Sequence, residues 1–292
     1  MIEIYLLEQL TAVKQFGTLL AASEHLHISQ PALSRSMKKL EAELDTVLFD
    51  RSVNHMTLNS AGQLACTCAE QVLRSEEMLV ETVQNYDRSL HTVTIGSCTP
   101  GPLMEYPALL QQCFSSMTIA AEQKEEKELI NDLNSHHCQL IILPHAIEKK
   151  GYVCRQCGSE HLYASVIPAH PMAAYQKQGI TFHDMNGETF LMNSNVGIWE
   201  NIVRNAMPDS KLILQDGIEE LSEIVNASSI PSFCTDLTLR VRGDSYRSSR
   251  ISVPFNDPEA AQTYYAVCLT SDENRLKPWF RLMSVRSSAA VK

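Results

Sequence analysis

The stretch Thr18-Leu-Leu-Ala-Ala-Ser-Glu-His-Leu-His-Ile-Ser-Gln-Pro-Ala-Leu-Ser-Arg-Ser-Met-Lys-Lys-Leu40 decides the reading of the N-terminal part of this chain. Ser29 is a favourable helix N-cap, and Pro31 falls in the first turn, where its missing N–H costs least. From there Leu33, Met37, Leu40 and Leu44 recur at three- and four-residue steps and make one apolar stripe. Gln30, Pro31, Ser34, Arg35 and Lys38 fall on the opposite side. An amide, a hydroxyl, a guanidinium and an ammonium are the groups that hydrogen-bond base edges and phosphates in a major groove. Upstream, Leu19, Ala22 and Leu26 supply the inner face of a preceding helix, with small residues where two helices approach closely. The pattern predicts a helix-turn-helix whose second helix reads double-stranded DNA. Gln30, Pro31, Ser34 and Arg35 are placed for bases and adjacent phosphates, and Lys38, a turn further on, for phosphate.

A wider set of residues extends this reading. Thr18 to Ser23, Leu26-His27-Ile28-Ser29-Gln30-Pro31-Ala32-Leu33-Ser34-Arg35, Leu40-Glu41, Leu48-Phe49-Asp50-Arg51 and Ala61-Gly62, in this order, resemble the LysR-type transcriptional regulators. The resemblance is strong to about Gly62 and weaker beyond, where the order of segments still fits. It implies an α+β multidomain chain: a winged helix-turn-helix, a long linker helix, and an α/β two-lobed effector-binding domain like the periplasmic binding proteins. It also implies a homodimer or homotetramer on partly symmetric DNA, with a small-molecule effector bound between the lobes, and it carries Arg51 over as a DNA contact at the wing entrance. One departure stands at the wing tip. Many relatives have arginine where this chain has Asn54 or His55, so minor-groove reading by an inserted arginine is not expected.

Composition limits the alternatives. At 292 residues the chain is long enough for two or three domains, and its 44% hydrophobic and 20% charged residues suit a globular protein. No apolar run approaches the roughly 20 residues of a membrane helix. Met1-Ile2-Glu3-Ile4 has no basic leader, and nine scattered cysteines suit a reducing compartment, so a cytoplasmic protein without membrane association is expected. The net charge of −10 works against bulk attraction to DNA, and residues 1–60 themselves hold five basic against seven acidic side chains. Arg35, Lys38 and Lys39 nevertheless cluster without an acid between residues 29 and 40. The expected positive field is local to the reading helix, and tight binding would need oligomerisation.

The segments order themselves as follows. Ile4, Leu7, Leu10 and Val13 give a first helix ended by Gly17, and β-type residues in 46–59 read as a two-stranded wing, so residues 1–59 form the DNA-binding domain. Residues 60–89 read as the linker helix, where Ala65, Val72, Leu79 and Tyr86 repeat every seven residues and suggest a partner helix. From Thr92, strands alternate with helices as in an α/β sheet. Strands are expected at 93–95, 117–122, 139–143, 162–167, 189–192, 211–215, 229–234 and 263–269. Residues 90–292 make the effector domain, with lobe I about 90–163 and 266–292 and lobe II about 164–265. The tail from Ser284 is expected to fray.

Two polar strand-to-helix loops are the candidate effector site. Ser97, Cys98 and Thr99 follow the first strand, and Asn193, Ser194 and Asn195 follow the 189–192 strand, so that hydroxyls, amides and free helix N–H groups would face a small polar or anionic ligand, with Gln123 and Glu125 beside them. The plainer reading of both loops is N-capping. Cys154-Arg155-Gln156-Cys157 lacks the second ligand pair of a zinc site and precedes a strand rather than opening a helix, which favours two structural thiols over redox chemistry. Arg240, Arg242, Arg247 and Arg250 read as a solvated basic loop. No phosphate loop, nucleophile elbow or acid pair stands out, so no catalytic residue, metal or cofactor is expected. The chain reads as an effector-controlled DNA-binding regulator. A cysteine-based redox sensor and an effector-independent DNA-binding protein are the alternatives.

Overall fold

Three short side-chain and backbone devices set the N-terminal helices. In the computed structural model, which describes residues 1–51, 56–242 and 250–289, the chain divides into two compact units, residues 1–84 and 85–292. Helix α1 (Ile4–Phe16) ends at Gly17, whose φ of 74° suits a residue without a Cβ. Thr18 caps α2 (Leu19–His25) by accepting from the Ala21 N–H at 3.1 Å, and Ser29 caps α3 (Gln30–Leu44) by accepting from Ala32 at 3.3 Å. The turn between them passes through His27 at φ 53°. An antiparallel ribbon of β1 (Phe49–Arg51) and β2 (Met56–Leu58) follows, and the wing-tip residues Asn54 and His55 lie outside the described residues.

Packing in this unit explains two of the quoted motifs. The Glu41 carboxylate accepts the backbone N–H of Leu48 at 2.9 Å and of Phe49 at 3.3 Å, tying α3 to the ribbon. Gly62 lies so close to the Leu48 carbonyl that any Cβ there would overlap it. The buried face of α1 is Leu6, Leu10, Ala12 and Val13, not the expected Ile4, Leu7, Leu10 and Val13. The stripe is turned slightly about the helix axis, which leaves Leu7 half-buried and Ile4, in the first turn, exposed, as is Leu44 at the end of α3. The 30-residue helix α4 (Ser60–Ser89), about 45 Å long at 1.5 Å per residue, leaves Leu64, Val72, Leu79, Val83 and Tyr86 exposed.

The second unit holds β3 (Thr92–Ser97), α5 (Pro100–Cys113), β4 (Thr118–Gln123), α6 (Glu126–Asn134), β5 (Leu140–Leu143), β6 (Tyr152–Val166), α7 (Phe182–Met185) and β7 (Thr189–Asn193). After these come α8 (Ile198–Ala206), β8 (Lys211–Gln215), α9 (Ile218–Ala227), β9 (Ser232–Thr235), α10 (Asp236–Arg242), β10 (Ile251–Pro254), β11 (Ala261–Leu269) and a last helix, α11 (Glu273–Ala289). The nine strands β3–β11 form one sheet in the order β4-β3-β5-β11-β6-β9-β7-β8, with β10 also on β6. Among the described residues it carries three apolar clusters, one of them built from Leu129, Leu133, Cys138, Ile141, Leu143 and Val267 on the second face of lobe I. Ile95, Leu110, Tyr264 and Trp279 belong to lobe I, and Phe182, Phe190, Trp199 and Phe255 to lobe II.

Strand β6 serves both lobes. Tyr152–His161 pairs with β11, whereas Leu162–Val166 pairs with β9 and β10. The crossing therefore falls at His161/Leu162 rather than at Tyr163–Ser165. The return lies between Pro254 and Ala261 rather than at Tyr264–Ala266, because Pro254 and Pro258 interrupt the ladder before β11 begins. Four elements were not expected: α7, α10, β10 and α11. The tail does not fray at Ser284, since α11 continues to Ala289 with Leu276, Trp279, Phe280 and Met283 in the lobe I core and Arg286 on Glu105. Nor is the arginine stretch simply a solvated loop. Arg240 pairs with Asp236 and Glu105, and the part-buried Arg250 guanidinium donates to the carbonyls of Ser165, Val225, Ser228 and Ile230. Arg247 and the side chain of Arg242 lie outside the described residues. Among the described residues no helix is long and apolar enough to cross a membrane.

Candidate functional site

On α3 the two faces separate cleanly. Leu33, Met37 and Leu40 are fully buried, while Gln30, Pro31, Arg35 and Lys38 are exposed and Ser34 is half-buried between them. Four groups of suitable chemistry thus share one open helical surface, beginning at the Ser29-capped N-terminus. Lys39 departs from the expected basic cluster. Its ammonium is held by the Glu3 carboxylate and lies 3.4 Å from the Tyr5 hydroxyl. Glu3 stands 36 residues from Lys39 in sequence, a separation that no local reading of residues 29–40 could register. Among the described residues, the positive charge left to this face is that of Arg35 and Lys38. The Arg51 side chain lies outside the described residues.

In the second unit the two polar loops approach each other at Cys98 and Gly197, but their polar groups are bonded within each loop or to near neighbours. Ser97 and Thr99 are fully buried. The Ser97 hydroxyl accepts from the Thr99 N–H at 3.2 Å, and Thr99 also bonds the Tyr264 hydroxyl. Asn193 accepts from the Asn195 N–H at 2.8 Å, and Ser194 donates to Asp216 at 2.6 Å. Gln123 donates to Asn195 Oδ1 at 2.7 Å, from lobe I to lobe II. Gly197, at φ 61°, lies against the Cys98 carbonyl with no room for a Cβ. Of the seven predicted residues, Asn193 and Asn195 reach the pocket behind these loops, and Ser97, Cys98, Thr99, Gln123 and Ser194 do not.

That pocket is about 120 Å³ and lies between the start of α5 and the inner face of lobe II. Its walls are chiefly apolar: Met104, Leu162, Trp199, Leu221 and Phe233, with Cys234 and Thr235 beneath. The expected cradle of free N–H groups is depleted at α5, because Pro100 and Pro102 in its first turn have none. The space there is filled by the Glu160 carboxyl. A Cβ on Gly101 would stand 2.5 Å from Glu160 Oε1 and 2.6 Å from Oε2.

Glu160 is the residue the sequence reading missed. It is the next residue but one before the crossing of β6, is only 3% exposed, and lines the pocket. Its Oε2 accepts from the Tyr264 hydroxyl at 2.5 Å in lobe I and from Trp199 Nε1 at 3.3 Å in lobe II, with Thr235 a further donor. Burial pushes its pKa above the ordinary glutamate range, and these hydrogen bonds oppose the shift without cancelling it.

Five of the cysteines offer little thiolate. Burial raises Cys98 and Cys234 to about 11, and Cys138, Cys157 and Cys268 to about 12. Cys154 and Cys157 both lie inside β6, and their side chains enter different apolar clusters on opposite faces of the sheet, as an odd separation along a strand dictates. Glu122, Asp132 and His137 converge as metal ligands do, yet the Lys124 ammonium already sits between the acids, 2.7 Å from Glu122 and 2.8 Å from Asp132.

Residues 4–63 match the family described as "Bacterial regulatory helix-turn-helix protein, lysR family". Residues 4–63 therefore form a helix-turn-helix domain of the LysR type. The chain's relatives include the DNA-binding transcriptional dual regulator OxyR of Escherichia coli, 26% identical over 190 residues, an alignment covering 64% of this chain and 62% of OxyR. The uncharacterized HTH-type transcriptional regulator YcgK of Bacillus subtilis is 32% identical over 130 residues, 44% of this chain and 40% of that protein. The chain thus spans less than two thirds of the length of either relative. Among solved structures, full-length BenM aligns with TM-score 0.55 at 18% identity, over 99% of this chain and 98% of BenM. A point variant of full-length OxyR from Pseudomonas aeruginosa aligns with TM-score 0.53 at 20% identity, over 93% and 90%. At these identities the structural likeness shows the LysR-type fold, a helix-turn-helix followed by a two-lobed domain, and no more than the fold.

Proposed function

We propose that this chain is a sequence-specific DNA-binding transcriptional regulator that works in the cytoplasm, as a homodimer or homotetramer, under the control of a small molecule bound between the lobes of its second unit. One observation carries the reading: the capped helix α3 presents Gln30, Pro31, Ser34, Arg35 and Lys38 on one open face while Leu33, Met37 and Leu40 anchor the other. Arg51 at the wing is a further candidate contact. The exposed apolar residues of α4 support pairing with a second copy, and a pocket between two lobes supports an effector. A ligand shifts such a protein only by binding its open and closed forms unequally. The thiol redox alternative is weakened by the raised pKa values of the buried cysteines.

The test is a gel-shift titration on the protein's own upstream DNA. Arg35→Ala should weaken specific binding by about 1–3 kcal/mol if the guanidinium makes a bidentate base contact. Lys38→Ala should weaken specific and random DNA alike. Parental affinity in Arg35→Ala would remove α3 as the reader.

A further inference from the structure

The pocket between the lobes is lined by an acid with no basic partner. Glu160 receives hydrogen bonds only from the uncharged donors Tyr264 on β11, Trp199 on α8 and Thr235 on β9. Among the described residues no lysine, arginine or histidine stands within ion-pair distance of it. The nearby charged group on α10 is Asp236, an acid that adds to the negative potential and is itself engaged by the His161 N–H and by Arg240. A buried carboxyl in this setting gains more from an incoming cation than from any neutral ligand, because the cation supplies the missing counter-charge in a medium that screens poorly.

The same geometry turns away anions. In lobe I the first turn of α5 has lost two N–H donors to Pro100 and Pro102, and the Glu160 carboxyl occupies the space beside Gly101 where a ligand carboxylate would have to sit. The remaining wall is mostly hydrocarbon and aromatic, with Asn193, Asn195, Thr235 and Thr238 as its uncharged polar members, and a pocket of about 120 Å³ is a little smaller than the roughly 150 Å³ apolar cavity that holds a benzene ring. Phe233 and Trp199 are the aromatic members of this wall.

We infer that the pocket takes a small apolar amine, its protonated nitrogen against Glu160 and its body along Met104, Leu221, Phe233 and Trp199. This rests on the reading of the pocket as the effector site. It departs from the small polar or anionic ligand that the strand-to-helix loops had suggested. Ligand binding joins the lobes through Glu160, whose existing partners Tyr264 and Trp199 already belong to one lobe each.

The experiment is isothermal titration of the full-length protein at pH 8 with benzylamine, isopentylamine, benzyl alcohol, benzoate and isovalerate, repeated on Glu160→Gln and Leu221→Trp. A thermal melt of each variant checks that it folds. The amines should saturate, the alcohol should bind at least tenfold more weakly, and the carboxylates should not bind. Glu160→Gln, which keeps the shape and removes the charge, should weaken the amines at least tenfold, and Leu221→Trp, which fills the pocket, should abolish them. Carboxylate binding that Leu221→Trp abolishes would overturn the ligand class while keeping the pocket as the effector site. Amine binding indifferent to both variants would overturn both. Failure of every amine to saturate would overturn the inference alone, since the gel shift with Arg35→Ala tests DNA reading separately.

Discussion

Gln123 Nε2 donates to Asn195 Oδ1 at 2.7 Å, and this bond fastens the end of β4 in lobe I to the loop after β7 in lobe II. Asn195 lines the pocket and the bond itself is exposed, so it competes with water and is worth about 0.5–1.5 kcal/mol net. Gln123→Ala should favour the open arrangement by roughly two- to tenfold. Ligand association should quicken by a similar factor in stopped-flow tryptophan fluorescence, with Trp199 as the reporter in the pocket wall. An unchanged association rate would show that this bond does not hold the lobes.

Glu3 occupies Lys39, so removing the acid should release a cation beside the reading face. Glu3→Gln is expected to raise affinity for random DNA and to steepen the logarithmic salt dependence by about 0.9, the slope of one additional phosphate contact. Titrations at three salt concentrations measure it. Lys39→Ala in the parent should leave the slope as it was, whereas a large loss would mean that Lys39 leaves Glu3 when DNA binds.

Leu79 is 64% exposed on α4, in line with Val72 and Tyr86 at seven-residue steps. Leu79→Lys places a charge where a second helix would bury an apolar side chain, and desolvating that charge is costly. Sedimentation velocity on the full chain should show a shift toward smaller species at micromolar concentration. A sedimentation coefficient equal to the parent's would remove α4 as the pairing surface.

The raised pKa of Glu160 has a fixed sign in the pH dependence of stability. Below the unfolded-state value the carboxyl is protonated in both states and has no effect on the slope. Between that value and the higher folded-state value the folded protein holds the proton while the unfolded chain has released it, so stability falls as pH rises. Glu160→Gln should flatten this part of the curve. Asp272 is also raised by burial and contributes the same sign, so the comparison is between parent and variant at each pH. Denaturant melts from pH 4 upward, on the order of one unit apart, read the difference. Parallel curves would mean that Glu160 ionises alike in both states.

The reading helix was legible because its signals are local: a capping serine, a proline in the first turn, and apolar residues at three- and four-residue steps. The apolar face of α4 was legible for the same reason. Glu160 was not. A charged residue in a strand ordinarily points to water, and its burial here comes from Tyr264, Trp199 and Thr235, which lie 104, 39 and 75 residues away in sequence. One signal was available: Pro100-Gly101-Pro102 removes two of the N–H groups on which an anion site at α5 would have depended. The crossing at His161/Leu162 left no mark because the buried alternation Leu162, Ala164, Val166 continues the strand without a break. The polar loops were legible as strand-to-helix loops, but the bond between Gln123 and Asn195 was not, since it depends on which loops the sheet brings together.

Strand β6 acts as an axle. Its first ten residues are laddered to lobe I and its last five to lobe II, so the lobes can turn about it far more easily than they can be pulled apart along it. In such a turn Glu160, beside the crossing, would travel least, while Gln123 and Asn195, which bridge the lobes through their loops, would sweep a wider arc. A ligand gripping the carboxyl would therefore act with a short lever, and a sub-ångström adjustment at the axle would reach those loops enlarged.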